Sequence, residues 1–141
     1  MSQENVELAR RGLRSVETFW GLLDEHVVWD LRDRGLTKIK PVDLDEVYVG
    51  RDAVIKASRH YWGTWDEYQL DAEELIDAGS SVVVIFRERA HGKGSGAPFE
   101  RYCTQVWSFS RGRIIRWEEF PDRAVALEAA GLSEQDAHAD S

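Results

Sequence analysis

The chain has 141 residues, of which 43% are hydrophobic and 31% charged; this is one globular domain, able to bury roughly 68% of the surface its unfolded form exposes. Its 26 acidic residues against 18 basic ones leave a net charge of −8. That field repels phosphate backbones and no Lys/Arg cluster interrupts it, which argues against a nucleic-acid partner. A lone cysteine, Cys103, offers no internal disulfide, no apolar run reaches the ~20 residues of a membrane helix, and "MSQENVELARR" lacks the apolar stretch of a signal peptide, so a cytoplasmic protein without membrane contact is expected.

Val6, Ala9, Leu13 and Val16 recur at helical spacing, with Glu4 and Glu7 near the start, where the helix dipole favours acids. Phe19, Trp20 and Leu23 continue a second short apolar face. "HVVWD" reads as the first strand, and alternation along it sets Asp30 on one face with Val28 and His26. Residues 31–49 keep no period and contain Pro41; a long loop is expected, with a short strand near Val47–Val49. After Gly50, "RDAVIKASRHYW" is a helix carrying Val54, Ala57, Ser58 and Tyr61 on one side. The period then becomes two: a strand through Tyr68, Leu70 and Ala72, the β-branched "VVVIFRER", the long "FERYCTQVWSFS" and "IIRWEEF", joined by turns at "DAGSS", "HGKGSGAP" and "RGR". Asp122 is placed to cap a last helix, "RAVALEAA", with Gly131 as its stop. The domain is expected over 1–131, with a polar, flexible tail over 132–141. The class is α+β, with helices gathered on one face of a curved, mostly antiparallel sheet.

"HGKGSG" has the glycines and lysine of a phosphate loop but lies between two strands; without a following helix to aim N–H groups, it is a hairpin turn. His26 and Asp30 stand about 13 Å apart along a strand, too far to share a metal ion. The remaining histidines have no ligand partners at useful spacing, and no nucleophile elbow is present, so neither metal nor cofactor is expected.

"GRDAVIKASRHYW", "LIDAGSSVVVIFRERAHGKGSG", "TQVWSFSRGRIIRWEEFPDRAVALEAAGL" and the opening "MSQENVELARRGL", in this element order, resemble the SnoaL-like branch of the nuclear transport factor 2-like superfamily. The resemblance implies a cone: a curved mixed sheet, mostly antiparallel, wrapped around three N-terminal helices, with a short C-terminal helix and a deep apolar pocket. It also implies functions ranging from ketosteroid isomerase, polyketide cyclase and epoxide hydrolase to plain binding, so fold alone does not select among them. Asp30 matches the position of the isomerases' general base. Their first-helix tyrosine has no counterpart, since Gly12 or Leu13 stands there, and their second aspartate is replaced by Gln105.

Cys103, Gln105, Trp107 and Phe109 share one face of their strand. Gln105 is therefore either an amide satisfied in the core or a pocket donor able to polarise a carbonyl. Arg87 is either a cavity cation, the setting that the epoxide hydrolase resemblance implies, or a solvated strand end. Glu119 carries the same ambiguity. Trp20, Val28, Tyr61, Trp107 and Trp117 are the expected pocket walls. Two functions follow: an enzyme on a small hydrophobic molecule with Asp30 as base and Gln105 or Arg87 stabilising the anion, or a non-catalytic binding or interaction domain. A homodimer through the outer sheet face is expected, with Val106 and Val84 outward, opposite Gln105 and Ile85.

Overall fold

A computed structural model describes residues 2–32 and 45–136. The first helix, α1 (Ser2–Gly12), buries Val6 and Ala9 and then stops. Ser15 starts a separate helix, α2 (Val16–Leu22), its Oγ accepting from Thr18 N at 3.1 Å. The apolar repeat that runs on from Val6 to Val16 is thus cut by a local cap, because a serine oxygen satisfies an N–H that a continuous helix would bond to a carbonyl.

The strand β1 (Leu23–Asp30) follows without a loop and is antiparallel to the short β2 (Val47–Val49), which forms where expected. Most of the long loop expected before β2, residues 33–44, lies outside the described residues. Next come α3 (Arg51–Gly63), β3 (Trp65–Asp77), β4 (Ser81–Gly92), β5 (Pro98–Ser110), β6 (Arg113–Phe120) and α4 (Arg123–Ala129). Arg111 and Gly112 both take positive φ, 52° and 77°, which closes β5 onto β6 through a two-residue turn of the twist that hairpins prefer. The glycine-rich stretch is likewise a hairpin turn, between β4 and β5.

The six strands form one sheet in the order β2-β1-β6-β5-β4-β3, antiparallel throughout except where β1 meets β6 in parallel. Register shifts in β3, at Asp66/Gln69 and Ala72/Glu74, and between Ser108 and Phe109 bend the sheet around α1, α2 and α3. Val27, Trp29, Val82, Val84, Phe86, Cys103, Trp107 and Trp117 belong to the inner core with Phe19 and Val54. Ile76, Val83, Ile85, Val106 and Phe120 form a second cluster with Ala126 and Leu127 of α4 on the outer face.

Two corrections follow. Val84 points inward, because it stands directly across from Gln105, and Ile85 points outward. The outer apolar face at Val106 is covered by the chain's own α4 and is only 3% exposed, so this patch does not call for a second copy. Asp122 caps α4 as expected, accepting from Val125 N at 2.9 Å. The stretch expected to fray after Gly131 begins docked: Leu132 packs on the outer cluster and Glu134 pairs with Arg123 at 3.0 Å. No helix among the described residues is long and apolar enough to cross a membrane.

Candidate functional site

A cavity of about 350 Å³ opens between the helices and the inner sheet face. Gly12, Leu13, Ser15 and Val16 of the α1–α2 corner form one rim, with Phe19 of α2 and Trp62 of α3 beside them. Tyr68 and Leu70 of β3, Phe86 of β4, Gln105 and Trp107 of β5 and Trp117 of β6 form the opposite wall. Gly12 sits close to its neighbours: a Cβ there would lie 3.0 Å from Leu22 Cδ1, which would have to shift by a few tenths of an ångström, and 3.5 Å from Trp107 Cζ3. Phe19 packs at 4.9 Å from Trp107 and 4.8 Å from Trp117, edge-on to the latter, and Trp117 stacks on Trp29 at 4.3 Å. These contacts fix the aromatic walls in place. None of the described lining residues is charged.

Gln105 is the wall's most constrained polar group. Both Trp107 Nε1 and Trp117 Nε1 donate to its Oε1, each at 2.8 Å. An indole N–H only donates, so the amide orientation is determined and both lone pairs of the oxygen are filled. Nε2 is left on the other side, donating to Cys103 Sγ at 3.6 Å. Gln105 is 4% exposed.

Behind Gln105 and Tyr68 lies a buried polar chain. Cys103 Sγ donates to Glu119 Oε1 at 3.2 Å, and Arg101 Nη2 donates to Glu119 Oε2 at 3.1 Å. Arg101 Nε also lies 2.6 Å from Glu88 Oε1, an ion pair not aligned as a hydrogen bond. Glu88 Oε2 accepts from Tyr61 Oη at 3.0 Å and from Tyr68 Oη. Two carboxyl groups thus share one guanidinium, and the chain begins and ends on residues of the pocket wall.

Burial raises the Glu119 carboxyl above the ordinary range; Arg101 opposes this and Glu88 adds to it. Burial also pushes the Cys103 thiol well up, helped by the Glu119 charge, so it remains a thiol. Tyr61 and Tyr68 are raised by burial and then by Glu88. Both hydroxyls stay protonated at neutral pH and act as donors.

Of the site residues expected from sequence, Gln105, Trp107 and Trp117 meet at the cavity. Glu119 is buried on the same face as Gln105, its cross-strand partner, but one layer behind the wall. Tyr61 is buried and held by Glu88 rather than lining the cavity. Trp20 stands behind Trp62, stacked on it at 6.0 Å, with Arg59 over its ring.

Asp30 departs most from expectation. It faces away from Trp29 and Trp117, on the side of Arg116 and Glu118, and does not line the cavity. Its Oδ1 accepts from Arg32 N at 3.1 Å and Arg32 Nε at 3.0 Å, and its Oδ2 accepts from Arg32 Nη2 at 2.7 Å and from Arg116 Nη2. The hydrogen bonds from Arg32 hold the Asp30 carboxyl below its ordinary value, against the effect of burial and with added help from Arg116. Val28 shares this outer side, paired in register with Arg116. Arg87 also lies on the outer face, where Nη2 reaches both oxygens of Glu100 at 3.2 Å in a half-exposed pair; it is the solvated alternative, not a cavity cation.

Sequence reading missed Tyr68, Phe86, Glu88 and Arg101. Phe86 and Glu88 follow from Val84 by simple alternation once the β4–β5 register is known, so the hairpin's turn length was the usable signal. Among the described residues, no three His, Cys, Asp or Glu side chains converge as metal ligands.

The cone fold is shared with solved structures. An NTF2-like protein of unknown function from Burkholderia pseudomallei K96243 superposes with a TM-score of 0.70 at 25% identity, covering 89% of this chain and 95% of its own. TerC, co-crystallised with polyporic acid, superposes with a TM-score of 0.68 at 20% identity, over 91% of this chain and 98% of that one. A protein of ketosteroid isomerase-like fold from Catenulispora acidiphila DSM 44928, in complex with trimethylamine, has a TM-score of 0.65 at 12% identity over 92% and 95% of the two chains. No curated protein matches at the sequence level. The SnoaL-like domain family matches residues 9–117, more than half the chain, and the protein belongs to that family.

Proposed function

We propose that this SnoaL-like protein binds a small, largely apolar molecule in the cavity between Phe19, Trp62, Phe86 and Trp107. The observation that carries this reading is the wall itself: about 350 Å³ of space, aromatic on most sides and without a charged lining residue. Pockets of this size and character hold small organic molecules, with a few polar groups setting their orientation. TerC with polyporic acid and the Catenulispora protein with trimethylamine support the same reading as fold relatives found with small molecules.

The test is a thermal-shift screen of neutral bicyclic compounds against wild type and Leu70→Trp, whose larger ring fills the cavity. A ligand at a hundred times its Kd stabilises the native state by about 2.7 kcal/mol. Wild type is expected to gain that shift and Leu70→Trp to lose it while remaining folded. Equal shifts in both proteins overturn the assignment.

A catalytic reading has an observation of its own. Glu119 carries a raised carboxyl, joined through Cys103 to Gln105 at the wall. It replaces Asp30 as the group to probe for proton transfer, since both oxygens of Asp30 are held by arginines. Conversion of an enone or epoxide by wild type, lost in Glu119→Gln with binding retained, supports an enzyme. Binding without conversion in either protein leaves the binding function alone.

A further inference from the structure

We infer that the pocket selects neutral molecules bearing a carbonyl-type acceptor, received by Gln105 Nε2, and turns away carboxylates. The inference rests on the cavity being the ligand site and adds what chemistry it recognises.

Two indole N–H groups converge on Gln105 Oε1, so the face of the amide that remains for a ligand is the donor face. Of the two Nε2 protons, one has Cys103 Sγ at 3.6 Å, a weak acceptor, and the other makes no hydrogen bond among the described residues. A buried amide donor left in that state is costly, and a ligand oxygen removes the cost. Gln105 is itself part of the cavity wall, and we place its second N–H on the cavity side. The clamp also fixes the amide before any ligand arrives: rotation would turn an NH₂ group toward two indole donors that need an acceptor. Preorganised donors of this kind bind without reorganising.

The charge pattern sets the second half of the selection. Among the described residues no Lys or Arg lines the cavity to neutralise an anion. Behind the wall, Glu88 and Glu119 share the single guanidinium of Arg101, so the nearest charged cluster has carboxyl groups in excess. A carboxylate entering this apolar site would lose its hydration and gain no counter-charge. A neutral ketone has a single oxygen to satisfy, and Gln105 supplies its donor. Phe19, Trp107 and Trp117 provide faces for the rest of a flat molecule.

The experiment uses three probes of similar bulk: tetralin, 1-tetralone and 1-naphthoate, with Kd measured by quenching of the tryptophan fluorescence. Wild type is expected to bind 1-tetralone about tenfold tighter than tetralin, and 1-naphthoate more weakly than either. Gln105→Leu has no N–H to offer, so the ketone preference should fall to about onefold. Gln105→Met, which buries no charge, is the companion variant and should lose the preference as well. Equal affinity of wild type for tetralin and 1-tetralone overturns the inference and leaves the pocket standing. So does a preference that survives in both variants. Failure of all three probes to bind overturns the pocket reading and the inference with it.

Discussion

Arg101→Leu is expected to lower the midpoint of thermal unfolding at pH 7 by about 10 °C, the largest effect of any single substitution outside the hydrophobic core. Among the described residues Arg101 is the cation that pairs with both Glu88, which is 1% exposed, and Glu119, which is 7% exposed. Removing one partner of a buried ion pair costs about 3–5 kcal/mol, because the other charge stays buried and unpaired. For a chain of this size each kcal/mol corresponds to roughly 3 °C. The pH dependence separates this cause from a packing defect. A carboxyl whose folded pKa is raised binds its proton more tightly in the native state than in the unfolded one. Stability therefore falls as pH rises from the ordinary glutamate value of ~4.3 through the raised one, and is level above it. In wild type Arg101 opposes the rise at Glu119; without it the raised value climbs further and the window widens. The deficit of Arg101→Leu against wild type should accordingly shrink as pH is lowered from 7 toward 4.5. A deficit that stays constant over that range assigns the loss to packing instead.

Asp30→Asn is expected to cost about 2 kcal/mol at pH 7 by urea unfolding, the scale of a charge-assisted hydrogen bond. A cost below the buried-pair range applies because the partner side chains are partly in water, Arg32 at 58% and Arg116 at 36% exposure. The sign of the pH effect is opposite to that at Glu119. The folded pKa of Asp30 is lowered, so its contribution is complete above the ordinary value of ~3.9 and is lost as pH falls through the depressed one. Wild type and variant should converge only in strong acid. Affinity for 1-tetralone should be unchanged, since Asp30 does not line the cavity. A large loss of affinity with intact stability would return Asp30 to the site.

Asp30 also shows where sequence reading stops. The residue's face relative to Val28 was legible, as were the element order, the Asp122 cap and the hairpin at "HGKGSG". Which of a strand's two faces looks inward was not. In "HVVWD" both Trp29 and Val28 are apolar, and in "VVVIF" every position is, so alternation carries no preference for one side. The decision belongs to cross-strand register: Trp29 against Trp117, and Val84 against Gln105. The same limit hid the guanidinium that matters. Arg87 and Arg101 sit opposite each other's neighbours, on strands paired Arg87 to Tyr102 and Glu88 to Arg101. One step of alternation separates an exposed arginine from a buried one. Gln105 is legible as either core amide or pocket donor, and its geometry joins the two: the oxygen is filled by two indoles in the core, while the nitrogen has a weak partner in Cys103 Sγ.

The single parallel pairing in the sheet has a consequence for how the molecule comes into being. The hairpins from β3 to β6 join neighbours in the chain, whereas β1 meets β6 only across nearly the whole domain. Contacts so distant in sequence form late, since a long loop must close before they contribute. That pairing is what sets Trp117 against Trp29, and Phe19 packs against Trp117 in turn. During synthesis, a chain that has emerged only as far as β5 already owns α1, α2 and α3 and the β3–β4 and β4–β5 hairpins. It has neither the final aromatic wall nor the second indole that orients Gln105. The complete cavity wall is therefore acquired with the last strand, and a prematurely released chain lacks it.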